Sequence, residues 1–168
     1  MIGFDRVTRK CSFSQLPSEL AQAIREYFQA RQLADPEDVT SLCCETISEK
    51  RNSSKLASLL DGNPDTTIHL AALLTPEWLI WARLGDRSGI VVSGARLKVI
   101  RVKAFVSRRT KNMGLEVSGF INDSKEYVRG NLEFGSQEAA QRFCEEVGQA
   151  ALKANPPAKR KFFGQIGN

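Results

Sequence analysis

The chain has 168 residues, with 24 Lys and Arg against 19 Asp and Glu, 42% hydrophobic and 26% charged residues, the composition of an ordinary water-soluble fold. A chain of this length can bury about 70% of its unfolded surface, so it needs no metal or disulfide staple. No apolar run of about 18 residues occurs; the longest candidate, Ile68 to Ala82, is interrupted by His69, Thr75, Pro76 and Glu77.

Met1 to Lys10 carries Asp5, Arg6, Arg9 and Lys10 and has no apolar core of a leader peptide, which predicts a cytoplasmic protein. Cys11, Cys43, Cys44 and Cys144 lack zinc-site spacing and are expected as reduced thiols, with Cys43 and Cys144 on apolar helical faces. The charge is uneven: Met1 to Asp86 holds 9 basic and 12 acidic residues, and Arg87 to Asn168 holds 15 and 7. A sign change of this kind suggests two functional faces.

Leu20, Ile24, Tyr27 and Phe28 recur at helical spacing after Pro17, predicting a helix that Ala34, Asp35 and Pro36 end. Asp35 as N-cap, Pro36, Glu37 and Asp38 then open a second helix, expected to carry Val39, Leu42, Cys43, Thr46 and Ile47 on one face. The pair is expected to form an N-terminal helical hairpin over residues 1–53, ending in a polar stretch from Lys50 to Ser54.

From Thr66 the period becomes 2. Ile68 to Leu74 and Trp78 to Leu84 read as a hairpin about Thr75-Pro76-Glu77, apolar on both faces, with Trp78 and Trp81 on opposite sides. Ile90 to Val92 is expected as a short strand before a Ser93-Gly94 turn. Leu97 to Val106 changes parity at Val99-Ile100, which predicts a bulge or corner. Leu115 to Ile121 and Val128 to Phe134 alternate as two further strands. Gly135-Ser136 then leads into a helix over Gln137 to Ala154 with Ala140, Phe143, Cys144, Val147, Ala151 and Ala154 on one stripe, stopped by Asn155-Pro156-Pro157. Residues 156–168 read as a flexible basic and aromatic tail.

The order of short antiparallel strands closed by one amphipathic helix resembles the pleckstrin-homology-like fold of bacterial type, over about residues 54–155. Leu74-Thr75-Pro76-Glu77-Trp78-Leu79-Ile80 looks like its tight first hairpin, and Leu132-Glu133-Phe134-Gly135-Ser136-Gln137-Glu138-Ala139-Ala140-Gln141-Arg142-Phe143 like its last strand running into the capping helix. The resemblance implies an α+β fold, a bent antiparallel barrel or sheet of about seven strands capped by a C-terminal helix. It also implies binding rather than catalysis: a non-enzymatic interaction module for a protein or small ligand, without cofactor or metal. The phosphoinositide site of such folds needs cations around the first hairpin loop, whereas Thr75-Pro76-Glu77 is acidic and no basic residue lies between Ala57 and Ala82.

Arg87 to Lys111 holds eight cations and no acidic residue. Within it, Arg101, Lys103, Arg108, Arg109 and Lys111 are the candidate binding residues for an anionic surface or partner, with Phe105 in line to stack on a base. The alternative is a strand edge protected by charge. A nucleic acid or an anionic membrane surface is the second partner class. The tail segment Lys159-Arg160-Lys161-Phe162-Phe163 is a further candidate partner motif. Catalysis has little footing: His69 is the single histidine, in an apolar strand, and no phosphate-loop glycine pattern is present.

Overall fold

The computed structural model describes residues 3–51 and 64–157. It is α+β, as expected, and its strands fall into two antiparallel sheets. The first is a meander of β1 (Phe4–Lys10), β2 (Leu42–Lys50), β3 (Thr67–Leu74), β4 (Trp78–Gly85) and β5 (Gly89–Arg96), paired in that order. The second holds β6 (Ile100–Val106), β7 (Met113–Gly119) and β8 (Val128–Glu133). Helix α1 (Ser18–Ala30) and the single turn α2 (Pro36–Val39) connect β1 to β2, and α3 (Glu138–Ala154) follows β8. Among the described residues no ladder joins the two sheets into a closed barrel.

The expected helical hairpin is corrected. Asp35 does cap a helix, its side chain accepting from the Glu37 amide at 2.8 Å, but the helix stops after one turn. The Ser41 amide is taken by the Leu74 carbonyl at 2.9 Å, which draws the chain into the sheet. Leu42 to Lys50 is then a strand, paired with β1 on one side and β3 on the other. Cys43 and Glu45 are buried on one face, and Cys44, Thr46 and Ser48 on the other. A strand buried on both faces loses its apolar–polar alternation, so its pattern passes for a helical stripe. Cys43 therefore sits on a strand, and Cys144 on α3 as expected. The expected boundary at residues 53–54 lies outside the described residues, as do residues 158–168 with Lys159, Arg160, Lys161, Phe162 and Phe163.

The two faces of the first sheet serve two cores. One receives α1 and the turn before it, packing Phe13, Leu20, Ile24 and Phe28 on Ala71, Leu73, Trp78, Ile80 and Ala82. The other packs Leu70, Ala72 and Leu79 against Ile100, Leu115, Val117 and Leu132 of the second sheet and Phe143, Cys144 and Val147 of α3. This explains why β3 and β4 are apolar on both sides, with Trp78 in the α1 core and Trp81 packed against the other.

One sequence-predicted turn comes out differently, and the expected corner is found. Ser93-Gly94 is no turn but lies within β5. Gly94 passes close under Tyr27, and Asn122 bridges the two: its Oδ1 accepts from the Gly94 amide at 2.9 Å and from the Tyr27 hydroxyl at 3.1 Å. A side chain at 94 would collide with the Tyr27 ring, which is why this strand position is glycine. Burial pushes the Tyr27 hydroxyl up to about 12, keeping it a donor. The parity change at Val99-Ile100 is a 3-10 turn over Leu97–Val99, where the chain leaves the first sheet for the second. The outer edge of β1 meets the connection from β8 to α3: the Thr8 amide donates to Gln137 Oε1 and the Gly135 amide to the Thr8 hydroxyl, both at 2.8 Å.

Candidate functional site: an arginine cleft on an aromatic floor

The start of β1, the residue after β2 and the β6–β7 loop meet around a cleft of about 420 Å³. Its apolar floor is Phe4, Phe105 and Met113, and Arg6, Arg51 and Arg109 stand around it with Ser107, Thr110 and Asn112.

Each wall has a local cause. Phe105 ends an alternating run on β6 and faces Gly114 on β7. Its ring occupies the volume that any side chain at 114 would need, so the glycine seats the floor. Replacing Gly114 with valine is expected to dislodge this ring and cost about 1 to 3 kcal/mol. A urea midpoint equal to that of the wild type would show that the ring is not seated there.

The loop that carries Arg109 is closed by its own backbone. The Ser107 amide donates to the Asn112 carbonyl at 2.8 Å and the Lys111 amide to the Ser107 carbonyl at 2.9 Å. Lys111 is left-handed at φ 60°, an unfavourable conformation for a residue with a Cβ, which these bonds hold in place. The Ser107 hydroxyl accepts from the Thr110 amide at 3.4 Å and the Thr110 hydroxyl from the Asn112 amide at 3.3 Å, so both are engaged in shaping the turn.

Two of the three arginines are neutralised. Arg51 pairs with Asp5 at 2.7 Å, and Arg6 pairs with Glu133 while lying against the Phe4 ring at 5.6 Å. Arg109 makes no ion pair among the described residues. Arg6 and Glu133 also line a second groove of about 340 Å³, bounded by Ile68, Trp81 and Val91, so their ion pair is the partition between the two spaces. The cleft lining has no His, Cys or Asp; what it offers a ligand is positive charge over apolar surface.

The five cations singled out from sequence are divided by the fold. Arg109 enters the cleft. Arg101 and Lys103 are exposed on the outer face of β6, with Lys103 opposite Glu116 and Arg101 opposite Ser118. Arg101 also lines a separate groove with Leu152, Asn155 and Pro157 at the end of α3. Arg108 and Lys111 are exposed on the loop and do not line the cleft. Arg6 and Arg51 were not anticipated, because they belong to the acidic half of the chain. Period 2 gives no signal at the start of the chain, since its apolar residues Phe4 and Val7 fall on opposite faces of β1 and Val7 is exposed.

His69 belongs to a different group. The Glu45 side chain, 2% exposed, accepts from Arg9 at 2.6 Å and faces His69 Nδ1 at 3.2 Å, bridging β1, β2 and β3. The Glu45 carboxylate raises the Arg9 guanidinium above its ordinary value. Neither Glu45 nor His69 lines the cleft. Among the described residues no group of three or more His, Cys, Asp and Glu is placed to hold a metal ion, and no helix is long and apolar enough to cross a membrane. Comparison with protein-family models, curated proteins and solved structures finds no match to this chain.

Proposed function

We propose that this chain is a non-enzymatic interaction module of pleckstrin-homology-like kind that binds an acidic segment of a partner protein in the arginine cleft. The observation that carries this reading is Arg109 standing unpaired beside Arg6 and Arg51 over Phe4, Phe105 and Met113. Charge-assisted hydrogen bonds from guanidinium to carboxylate are among the stronger polar contacts a protein offers, and their planar fork suits carboxylates. An apolar floor adds affinity for an acidic group carried beside an aromatic or aliphatic side chain. Within the span of the resemblance, the antiparallel strands β3 to β8 and a C-terminal helix that packs against both sheets support the family reading.

The test titrates isotope-labelled protein with an end-blocked peptide of alternating Glu and Phe, and with its Gln-for-Glu counterpart. Amide shifts are expected at Phe105 to Met113 and around Arg6 for the acidic peptide alone. Arg51→Glu combined with Arg109→Glu is expected to weaken binding about tenfold or more, the equivalent of losing one charge-assisted contact. Equal binding of both peptides, or shifts confined to Arg101, Lys103 and their β7 neighbours, would reject the cleft. Stronger binding to a single-stranded oligonucleotide or to anionic vesicles, lost steeply with salt, would favour the anionic-surface reading instead.

A further inference from the structure

We propose that Cys11 and Cys43 are an oxidative modification site, a dithiol that a small peroxide converts to an intramolecular disulfide stapling the end of β1 to β2. The two residues lie 32 positions apart in the chain and their Sγ atoms are 3.5 Å apart. The Cys11 amide donates to the Cys43 carbonyl at 3.2 Å, extending by one residue a register whose last pair is Lys10 with Cys44. Facing residues that share such a bond across antiparallel strands have Cα atoms about 5.5 Å apart, inside the roughly 4.4 to 6.8 Å that a disulfide spans. The Cβ atoms of such a pair stand toward the wide end of about 4.5 to 5.5 Å, so closing the sulfurs from 3.5 Å to about 2.0 Å takes side-chain rotation and a small inward shift at the end of the ladder.

The surroundings divide the labour between the sulfurs. Cys11 is the nearer to solvent, at 7% exposure against 3% for Cys43. With Cys43 as the donor, the hydrogen bond between the two sulfurs holds the Cys11 thiol below its ordinary value, against the opposing effects of burial and of Glu45 and with help from Arg9. Donating that bond, together with burial, pushes Cys43 far up. Cys11 is accordingly the attacking thiolate and Cys43 the resolving thiol.

In the first step the Cys11 thiolate attacks one oxygen of the peroxide. The O–O bond breaks, Cys11 becomes a sulfenic acid, and the departing hydroxide takes a proton to become water. In the second, Cys43 gives up its proton as its sulfur attacks the Cys11 sulfur. The S–O bond breaks, and the second hydroxide leaves as water with that proton. Two thiols are oxidised by two electrons in total, and one peroxide is reduced to two waters.

Cys44 and Cys144 provide the internal contrast. Burial raises both, Cys144 to about 12, and both pack in the other core, against the second sheet and α3. The experiment exposes the native full chain to excess hydrogen peroxide, then alkylates it in denaturant and maps the peptides without reduction. Two of the four thiols are expected to resist alkylation, with a mass lower by two hydrogens and a Cys11–Cys43 linked peptide that dithiothreitol releases. The double variant Cys44→Ser, Cys144→Ser is expected to form the same link. Cys43→Ser is expected to leave Cys11 as a sulfenic acid that dimedone traps. Four alkylatable thiols, a link through Cys44 or Cys144, or over-oxidised Cys11 beside a free Cys43 would each overturn the proposal. Because the primary readout needs no variant, a folding defect in one leaves the test intact.

Discussion

Replacing Phe143 by alanine is expected to destabilise the protein by about 3 to 5 kcal/mol. The ring is 1% exposed. It packs against Phe134 with centroids 5.6 Å apart, in the core where α3 meets both sheets. Removing it strips apolar burial from three packed elements at once. The cavity left behind cannot collapse easily, because two sheets and a helix already hold one another in place. For a chain of this size the loss corresponds to a fall in Tm of roughly 6 to 20 °C. Glu145→Ala, on the exposed face of the same helix, should change stability by less than about 0.5 kcal/mol. Thermal unfolding followed by circular dichroism distinguishes the two. A fall of less than about 2 °C for Phe143→Ala would mean that α3 does not cap the core.

Asp65→Ala is expected to cost about 3 kcal/mol at neutral pH, because one carboxylate organises the whole β4–β5 turn. Asp65 is fully buried. It accepts from the Arg87 amide at 3.0 Å, the Ser88 amide at 2.8 Å and the Ser88 hydroxyl at 2.6 Å, and it pairs with Arg83 at 2.9 Å. The variant leaves two turn amides and a guanidinium without their acceptor. Burial alone would push this carboxyl up. The Ser88 hydroxyl and amide, the Arg87 amide and Arg83 together outweigh it and hold Asp65 below its ordinary value.

The sign of the pH dependence follows. A carboxyl bound more tightly as its anion in the folded state stabilises the fold fully above its unfolded value near 3.9, and that contribution fades as pH falls through the lower folded value. Wild type and Asp65→Ala should therefore differ most at neutral pH and converge in acid. Part of the acid sensitivity persists in the variant, because the Thr66 hydroxyl likewise holds Asp86 low. Urea unfolding across the acid range checks this. A stability difference independent of pH would show that the turn is held by packing and not by the charge.

Much of this molecule is set by short-range pattern. The hairpin of β3 and β4, apolar on both faces for two cores, the inward Leu115 and Val117 of β7 and the stripe of Phe143, Cys144, Val147 and Ala151 on α3 each follow from side chains a few positions apart. The corner between β5 and β6 left its mark in the parity change at Val99-Ile100, since a chain that switches sheets must rotate its inward face. So did the exposure of Arg101 and Lys103, which follows from their opposite parity to Ile100 and Val102.

Other features are decided only when distant segments meet. Leu42 to Lys50 carries a pattern compatible with either helix or strand, and it becomes a strand because β1 and β3 satisfy its backbone on both sides. Arg109 becomes a cleft residue because β1 and Arg51 stand beside the β6–β7 loop, while Arg108 and Lys111 on the same loop point elsewhere. Cys11 and Cys43 touch because register, not spacing, places them opposite. Local sequence determines which residues can share a face; the pairing of strands far apart in the chain determines which faces meet, and both the cleft and the thiol pair arise from such pairings.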